Sequence, residues 1–168
     1  EWAPEALARA GAELRDLALP AVFEQLEAAH AVVMNAESAR ALGWEMTTAR
    51  DALSPVLRER MEWGLAQPAS ALLEAQLLFR RLQAGFPEIM DDLDLLLTPA
   101  APGVAPAGLE WTGDPAFNFI WTSLHTPCVT VPAGSGPGGL PLGLQIVTRR
   151  GEDRQALMWA QWVAGALG

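Results

Sequence analysis

A change in sequence pattern near residue 93 limits the folds that this chain can adopt. From about residue 21 to residue 91, apolar residues recur every three or four positions, which is the spacing of one helix face. Beyond that point, short apolar runs alternate with segments rich in proline and glycine. The run Leu93–Thr98 is short and is followed by Pro99, which favours a buried strand over a helix. The pattern therefore predicts an α/β fold in which a helical block over 20–91 is followed by strands.

The helical block carries local signals for where its helices begin and end. Ser54-Pro55 places a hydroxyl before a proline, which predicts a helix start with Ser54 as the N-cap. Thr47 or Thr48 is predicted to cap a shorter helix before it. Pro87 lies inside the third long helical pattern, and it predicts an end or a kink near residue 86 because proline has no N–H.

The second half predicts a small sheet closed by a helix. The segments 128–131 and 142–148 favour strands, and the glycine-rich connection over 133–139 predicts an antiparallel hairpin between them. A helix follows to the C-terminus, with Asp153 as a predicted cap. Near the N-terminus, a helix broken at Gly11 is predicted to lead into a short strand at 14–19. We expect 168 residues to form a single unit, 1–168.

Composition excludes several classes of function. The net charge is −9, and the basic residues, all arginines, are not clustered, which excludes nucleic-acid binding through a basic surface. One cysteine excludes an internal disulfide, and no apolar run approaches the roughly 20 residues that span a bilayer. We therefore expect a cytoplasmic protein without membrane attachment. The chain begins with Glu1 rather than methionine, which suggests truncation.

Four groups of residues could carry chemistry, and each also has a structural interpretation. A phosphate-binding loop needs a lysine and a hydroxyl residue just before a helix, whereas the loop 134–139 has no lysine and leads into a strand, so a plain connection is favoured. His125 and Cys128 suggest a dyad, but Pro127 separates them, and a core cysteine is favoured. The acids at 91, 92 and 94 suggest metal binding or the exposed entry to a strand, and the latter is favoured. Trp121 fits a pocket wall and a core position equally well. We expect no metal site and no cofactor.

An ordered series of short motifs resembles the C-terminal portion of the amidase signature family. No motif is specific alone, but the set occurs in order across the second half of the chain. The motifs are Thr98-Pro99, Ala105-Pro106, Thr112-Gly113-Asp114, Phe117-Asn118, Trp121-Thr122, Val129–Gly134 and Leu140–Gln145. The helical first half is also similar to the family at Leu19-Pro20 and Ala36-Glu37.

The resemblance implies a mixed sheet covered by helices and a hydrolase that cleaves amide C–N bonds. Members of this family use a serine nucleophile, a bridging serine on a cis peptide and a lysine base, which fits the need of an amide carbonyl for an activated hydroxyl. This chain has no lysine, and its five serines are isolated from one another. They are Ser38, Ser54, Ser70, Ser123 and Ser135. The resemblance therefore implies a C-terminal segment whose catalytic residues, none of them here, lie upstream.

The resemblance also implies which residues face the substrate. Trp121 and Thr122 correspond to pocket-lining positions, and His125 stands where many relatives have glycine. The implied partner is a small-molecule amide, with the substrate itself unspecified. An alternative is an independent binding or assembly module derived from the same fold. A third possibility is a homodimer formed through an exposed sheet edge, because unpaired strands present free backbone groups.

Overall fold

The computed structural model describes residues 2–168, with side chains from Ala3 onward. Its backbone divides into two compact units. Residues 21–84 form a helical unit, and the residues up to Pro20 together with 85–168 form a sheet unit. A helical block precedes the strands and the closing helix, as predicted.

The helical unit consists of helices joined by short turns. Its α-helices are α2 (Leu26–Ala41), α3 (Gly43–Thr48), α4 (Pro55–Ala66) and the first part of α5 (Ala69–Met90). Two 3-10 turns, Ala21–Gln25 and Arg50–Ala52, precede α2 and α4. The interior is formed by apolar side chains at helical spacing, including Leu26, Ala29, Ala36, Met61, Leu72 and Phe79.

Helices α2 and α4 approach each other closely at a glycine. A Cβ atom built on Gly64 of α4 would lie 2.3 Å from the backbone oxygen of Asn35 in α2. No side chain fits at that separation, so the approach of the two helices depends on the missing Cβ. Gly43, by contrast, is surrounded by open space, because a Cβ atom built there would have no neighbouring atom within 4 Å.

The predictions for helix ends had mixed outcomes. Ser54 is the N-cap of α4, as predicted, and its Oγ accepts a hydrogen bond from the N–H of Leu57 at 3.3 Å. The prediction for Thr47 and Thr48 was wrong, because both lie inside α3 and donate to carbonyls four residues back. The predicted end near residue 86 was also wrong, because α5 continues through Pro87 to Met90.

The sheet unit contains three antiparallel strands. They are β1 (Leu96–Pro99), β2 (Cys128–Ser135) and β3 (Pro141–Val147), in the spatial order β1-β3-β2. The predicted hairpin of β2 and β3 is confirmed, with an irregularity between Pro132 and Ser135. Because β3 is central, β1 and β2 each have one strand partner within residues 2–168.

Two helices cover one face of this sheet. Helix α1 (Trp2–Arg9) packs against α7 (Asp153–Leu167), and α7 packs against β2 and β3. Their shared interior contains Leu7, Val131, Ile146, Ala160 and Val163, all buried. Burial of a valine, leucine or isoleucine side chain contributes about 1.5–3 kcal/mol, so this cluster stabilises the packing of the helices on the sheet.

Two predictions in the sheet unit were wrong. The segment 14–19 is not a strand, because its backbone pairs with no other strand within residues 2–168. Asp153 is the first residue of α7 rather than its cap, and the N-cap position is Glu152 without a side-chain cap bond. No helix in the described part of the chain is long and apolar enough to cross a membrane.

Candidate functional site

The segment that contains the predicted site residues is fixed to the sheet by side-chain amides. Gln145 of β3 is buried, and its Nε2 donates to the carbonyl of Phe117 at 3.0 Å and to Thr98 Oγ1 at 3.3 Å. Asn118 Nδ2 donates to the carbonyl of Ala100 at 3.2 Å. These bonds position the short helix α6 (Phe119–Leu124), which follows directly. Sequence analysis missed the role of Gln145, although the residue lies within a motif of the family resemblance.

Helix α6 begins later than the sequence predicted. In the sequence, Asp114 before Pro115 is a pattern that predicts a helical turn from there through Trp121, with Asp114 as its cap. Asp114 instead accepts a hydrogen bond from the N–H of Ala116 at 2.9 Å, within the turn that precedes the helix. The residue at the N-cap is Asn118, which makes no side-chain cap bond, and its Nδ2 donates to the carbonyl of Ala100.

Trp121 is buried, with 4% of its surface exposed. Its ring packs against Phe86 with a centroid separation of 6.1 Å and an angle of 55° between the planes. Its indole Nε1 has no hydrogen-bond acceptor among the described residues. A buried donor without a partner costs about 1–3 kcal/mol. The ring of Trp121 is therefore well packed, but its N–H lowers the stability of the chain unless an acceptor is supplied.

Thr122 and His125 are exposed, in contrast to Trp121. The hydroxyl of Thr122 donates to the carbonyl of Asn118 at 3.1 Å, which holds the side chain against its own helix. His125 ends α6 in the left-handed conformation, with φ 56° and ψ 38°, and its N–H donates to the carbonyl of Thr122 at 3.2 Å. Glycine is the usual residue at such a helix end, because it adopts the left-handed conformation without a steric cost.

A cavity of about 840 Å³ adjoins Trp121, and we call it the β1 cleft. Its lining consists mainly of residues 10–17, Leu19, residues 92–98, Trp121, Trp159 and Trp162. Trp159 and Trp162 meet edge to face at 6.2 Å and 89°. Thr122 and His125 are absent from this lining. The structure therefore places one of the three predicted site residues in the cleft and leaves the other two outside it.

A second cavity of about 890 Å³ lies between the proline-rich segment and the hairpin. It is lined by residues 100–106, residues 111–115, Asn118 and parts of both hairpin strands. Gly143 is required beneath this segment, because a Cβ there would lie 2.9 Å from that of Ala100 and 2.6 Å from Thr130 Cγ2. Ala100, at the start of this segment, therefore packs closely over Gly143 of β3.

The acidic residues before β1 have structural partners. Arg15 Nη2 lies 2.5 Å from Asp92 Oδ1, and this hydrogen bond lowers the pKa of the Asp92 carboxyl. Arg149 Nη2 donates to the carbonyls of Asp91 at 2.7 Å and Leu93 at 2.9 Å, a role that sequence analysis missed. Among residues 2–168, no group of three or more histidine, cysteine or acidic side chains is arranged to hold a metal ion.

Cys128 begins β2, but it is exposed, so the prediction of a core cysteine was wrong. Its sulfur lies 3.6 Å from the carbonyl of Thr126. Partial desolvation raises the pKa of this thiol, which is the opposite of what an activated cysteine nucleophile needs. These properties argue against a reactive cysteine at this position.

Comparison with known proteins identifies the family. The family model described as amidase matches residues 1–157. The chain belongs to the amidase family. It is 28% identical over 163 residues to 2-amino-5-chloromuconic acid deaminase of Comamonas testosteroni, covering 88% of this amidase chain and 34% of that protein. It is 27% identical over 152 residues to fatty acid amide hydrolase of Medicago truncatula, covering 83% of this chain and 25% of that protein.

A solved structure gives the same result for the fold. A crystal structure of an amidase matches with a TM-score of 0.87 and 26% identity, over 98% of this chain and 40% of that one. This amidase chain thus spans between a quarter and two fifths of the lengths of these three relatives. Their names indicate different substrates, so similarity alone does not select one for this chain.

Proposed function

We propose that this chain is the C-terminal scaffold and substrate-pocket segment of an amidase that hydrolyses C–N amide bonds. The observation that carries the proposal is the amidase match over residues 1–157 together with the partial coverage of every relative described above. On this proposal residues 1–168 act as one segment of a larger amidase domain, and the serine nucleophile comes from the part outside it.

The side chains of this segment support a scaffolding role rather than a catalytic one. There is no lysine to act as the base. Ser123 is buried with 1% exposure, and its hydroxyl donates to the carbonyl of Phe119 at 2.7 Å. Ser54 caps α4. Both hydroxyls are thus engaged in holding a helix, whereas a serine nucleophile needs a neighbouring base that takes its proton.

The proposed substrate-binding residues are Trp121, Thr122 and His125. Trp121 contributes a rigid apolar surface and a free indole donor. Thr122 and His125 lie on the exposed side of α6, where a substrate held by the remainder of the enzyme would reach them. His125 supplies a ring nitrogen that glycine lacks, which would favour substrates with a hydrogen-bonding group next to the amide.

Assays of two polypeptides test this proposal. The 168-residue chain and the complete polypeptide that its gene encodes are compared on aliphatic, aromatic and fatty-acyl amides. We expect no hydrolysis by the chain alone and hydrolysis of at least one amide class by the complete polypeptide. Turnover by the 168 residues alone would overturn the proposal, and so would a complete polypeptide without a lysine base and paired serines.

An independent binding or assembly module is the second candidate, and the two cavities of about 840 and 890 Å³ favour it. It predicts a monodisperse 168-residue chain whose thermal midpoint rises when an amide or an acid is added. The first proposal predicts no such ligand shift, because the substrate pocket is incomplete. A homodimer paired through a sheet edge would appear in the same samples as a doubled mass.

A further inference from the structure

The outer side of helix α4 carries four exposed residues in one line, which we call the α4 stripe. They are Val56, Glu59, Arg60 and Trp63, and their spacing of three or four positions puts them on one face of the helix. Val56 is 60% exposed and Trp63 is 44% exposed, and both charged residues are exposed as well. Helix α4 meets α2 at Gly64, whereas the α4 stripe is left uncovered by that contact.

The two charged residues of the α4 stripe lack partners within the described part of the chain. Glu59 and Arg60 make no ion pair and no side-chain hydrogen bond among residues 2–168. The other two charged residues of α4 do have partners in the preceding 3-10 turn. Arg58 pairs with Asp51, and Glu62 pairs with an arginine of the same turn. Helix α4 therefore has its charges paired away from the stripe and one acid and one base unpaired on it.

The α4 stripe is complementary to itself. Its order is apolar, acidic, basic, apolar, so reversing the direction keeps the apolar ends and exchanges the two charges. In an antiparallel pair of α4 helices with a twofold axis between residues 59 and 60, each Val56 faces a Trp63 and each Glu59 faces an Arg60. Such a match between one surface and its own copy is what a symmetric dimer requires. Antiparallel pairing also places opposite ends of the two helix dipoles side by side.

The distribution of charge favours a second copy at the helical unit. The whole chain has a net charge of −9, so two copies repel each other. Most of this excess lies outside residues 21–84, because acidic residues exceed arginines only slightly within that range. The helical unit is therefore the part of the chain at which two copies approach with the least repulsion.

We propose that two copies of this amidase associate through the α4 stripe as a symmetric dimer. The inference goes beyond the proposed function and does not rest on it, because residues 21–84 contain none of the proposed substrate-binding residues. Trp63 is the expected anchor, since tryptophan is enriched among the residues that dominate binding energy. Helix α4 has 12 residues, so it is about 18 Å long. Two helices of that length bury less than the roughly 1,200–2,000 Å² of a standard interface, so the dimer should dissociate on dilution.

Charge reversal tests the pairing in the complete polypeptide that the gene encodes. The dissociation constant is measured by sedimentation equilibrium between about 1 and about 300 μM. Glu59→Arg or Arg60→Glu alone places like charges opposite each other twice, and we expect either to raise the dissociation constant by about tenfold or more. The double variant E59R/R60E restores both ion pairs with the signs exchanged. It should return the constant to within about threefold of the original, and a double variant as weak as the single ones would overturn the proposal.

Removal of the apolar anchor gives an independent check. Trp63→Ser should leave the complete polypeptide monomeric over the whole concentration range. Leu65→Ser is the matched control, because Leu65 is 60% exposed on the same helix but lies outside the α4 stripe. Glu74→Arg on α5 matches the change of charge in E59R. Both controls should stay within about twofold of the original dissociation constant. A dimer that W63S leaves intact would overturn the proposal in favour of another surface, such as a sheet edge.

These measurements separate the dimer from the proposed function. Sedimentation reports the mass of the complete polypeptide whether or not an amide is cleaved. A polypeptide that stays monomeric throughout the range would overturn the dimer, and amide hydrolysis by that monomer would keep the proposed function. A dimer that responds to the charge exchange but cleaves no amide would refute the proposed function and keep the pairing of α4.

Discussion

The helical unit and the sheet unit differ in how they satisfy their backbones. The helices over 21–84 bond their own N–H and C=O groups, and α2 and α4 approach at Gly64 so closely that no side chain fits. The sheet unit has strands whose outer edges are open within residues 2–168, together with a buried indole that lacks an acceptor. The backbone groups of a helix bond to one another within the same segment. The backbone groups of a strand need a second strand, which can come from any part of the sequence. Under the proposed function, the sheet unit is therefore the region through which we expect this chain to contact the rest of an amidase.

Among the predicted changes, substitution of Trp121 should alter the free energy of unfolding most, because it removes a buried side chain of the sheet unit. Trp121→Ala removes a buried ring, and we expect it to lower the free energy of unfolding by about 3–5 kcal/mol. Trp121→Phe keeps most of the packing against Phe86 and removes the unpaired N–H, so we expect a change of less than about 1.5 kcal/mol in the 168-residue chain. Urea unfolding followed by circular dichroism measures both. A large loss for W121F would show that the indole N–H has a partner in this chain.

Substitution of Gly64 tests the closed packing of the helical unit. Gly64→Ala forces the new Cβ against the backbone of Asn35, and we expect it to lower the free energy of unfolding by about 1–3 kcal/mol. The control is Gly43→Ala, where no atom lies within 4 Å, and where alanine should stabilise the helix by about 0.5–1 kcal/mol. In urea unfolding, we therefore expect G64A to lower the free energy of unfolding and G43A to raise it. If both variants stabilise the chain, α2 and α4 are not in close contact at Gly64.

His125 tests whether the end of α6 is strained. Its φ of 56° is a conformation that glycine adopts without cost, so His125→Gly should raise the free energy of unfolding by about 1 kcal/mol. His125→Val, which keeps a side chain but is β-branched, should lower it. In the complete polypeptide, H125G should also change KM for amides if the ring contacts substrate. If H125G raises the stability and leaves KM unchanged, His125 does not contact the substrate.

The smallest predicted effect is the pH dependence of the stability that the ion pair of Arg15 with Asp92 contributes. The hydrogen bond from Arg15 lowers the pKa of Asp92 below its ordinary value of about 3.9. The stability that this pair contributes is therefore present above about pH 4, and it is lost as the pH falls through the lower pKa of the folded state. Both side chains are largely exposed, so the contribution is small. Asp92→Asn should slightly flatten the fall in thermal midpoint between about pH 5 and about pH 2.5, and an unchanged pH profile would contradict this contribution.

Local signals were sufficient for much of the fold. The hydroxyl of Ser54 before Pro55 predicted the start of α4, because a cap bond involves residues three positions apart. The hairpin of β2 and β3 followed from two β-favouring segments and a flexible connection. The strand predicted over 14–19 was wrong because strand formation also depends on residues outside the segment. Its composition favours a strand, but a strand also needs a partner, and this segment has none within residues 2–168.

Less of the candidate site than of the fold could be predicted from the sequence. Its residue types and order gave the family resemblance, but burial and conformation depend on distant segments. Trp121 is buried against Phe86, and Gln145 joins Thr98 to Phe117 across 47 and 28 positions of sequence. Neither relation has a local signature. The one possible signal for the left-handed conformation of His125 was the glycine that the family resemblance implies at that position.

Short stretches of the chain were enough to specify the helical block, the hairpin and the membership of the amidase family, because periodicity, caps and ordered motifs are local properties. Other features became evident only in three dimensions: Trp121 is buried with an unpaired N–H, Thr122 and His125 lie outside the cleft, and residues 13–19 face an open strand edge. Those features arise where segments far apart in the chain meet, as Arg15 meets Asp92 across 77 positions, and no short stretch encodes such a meeting.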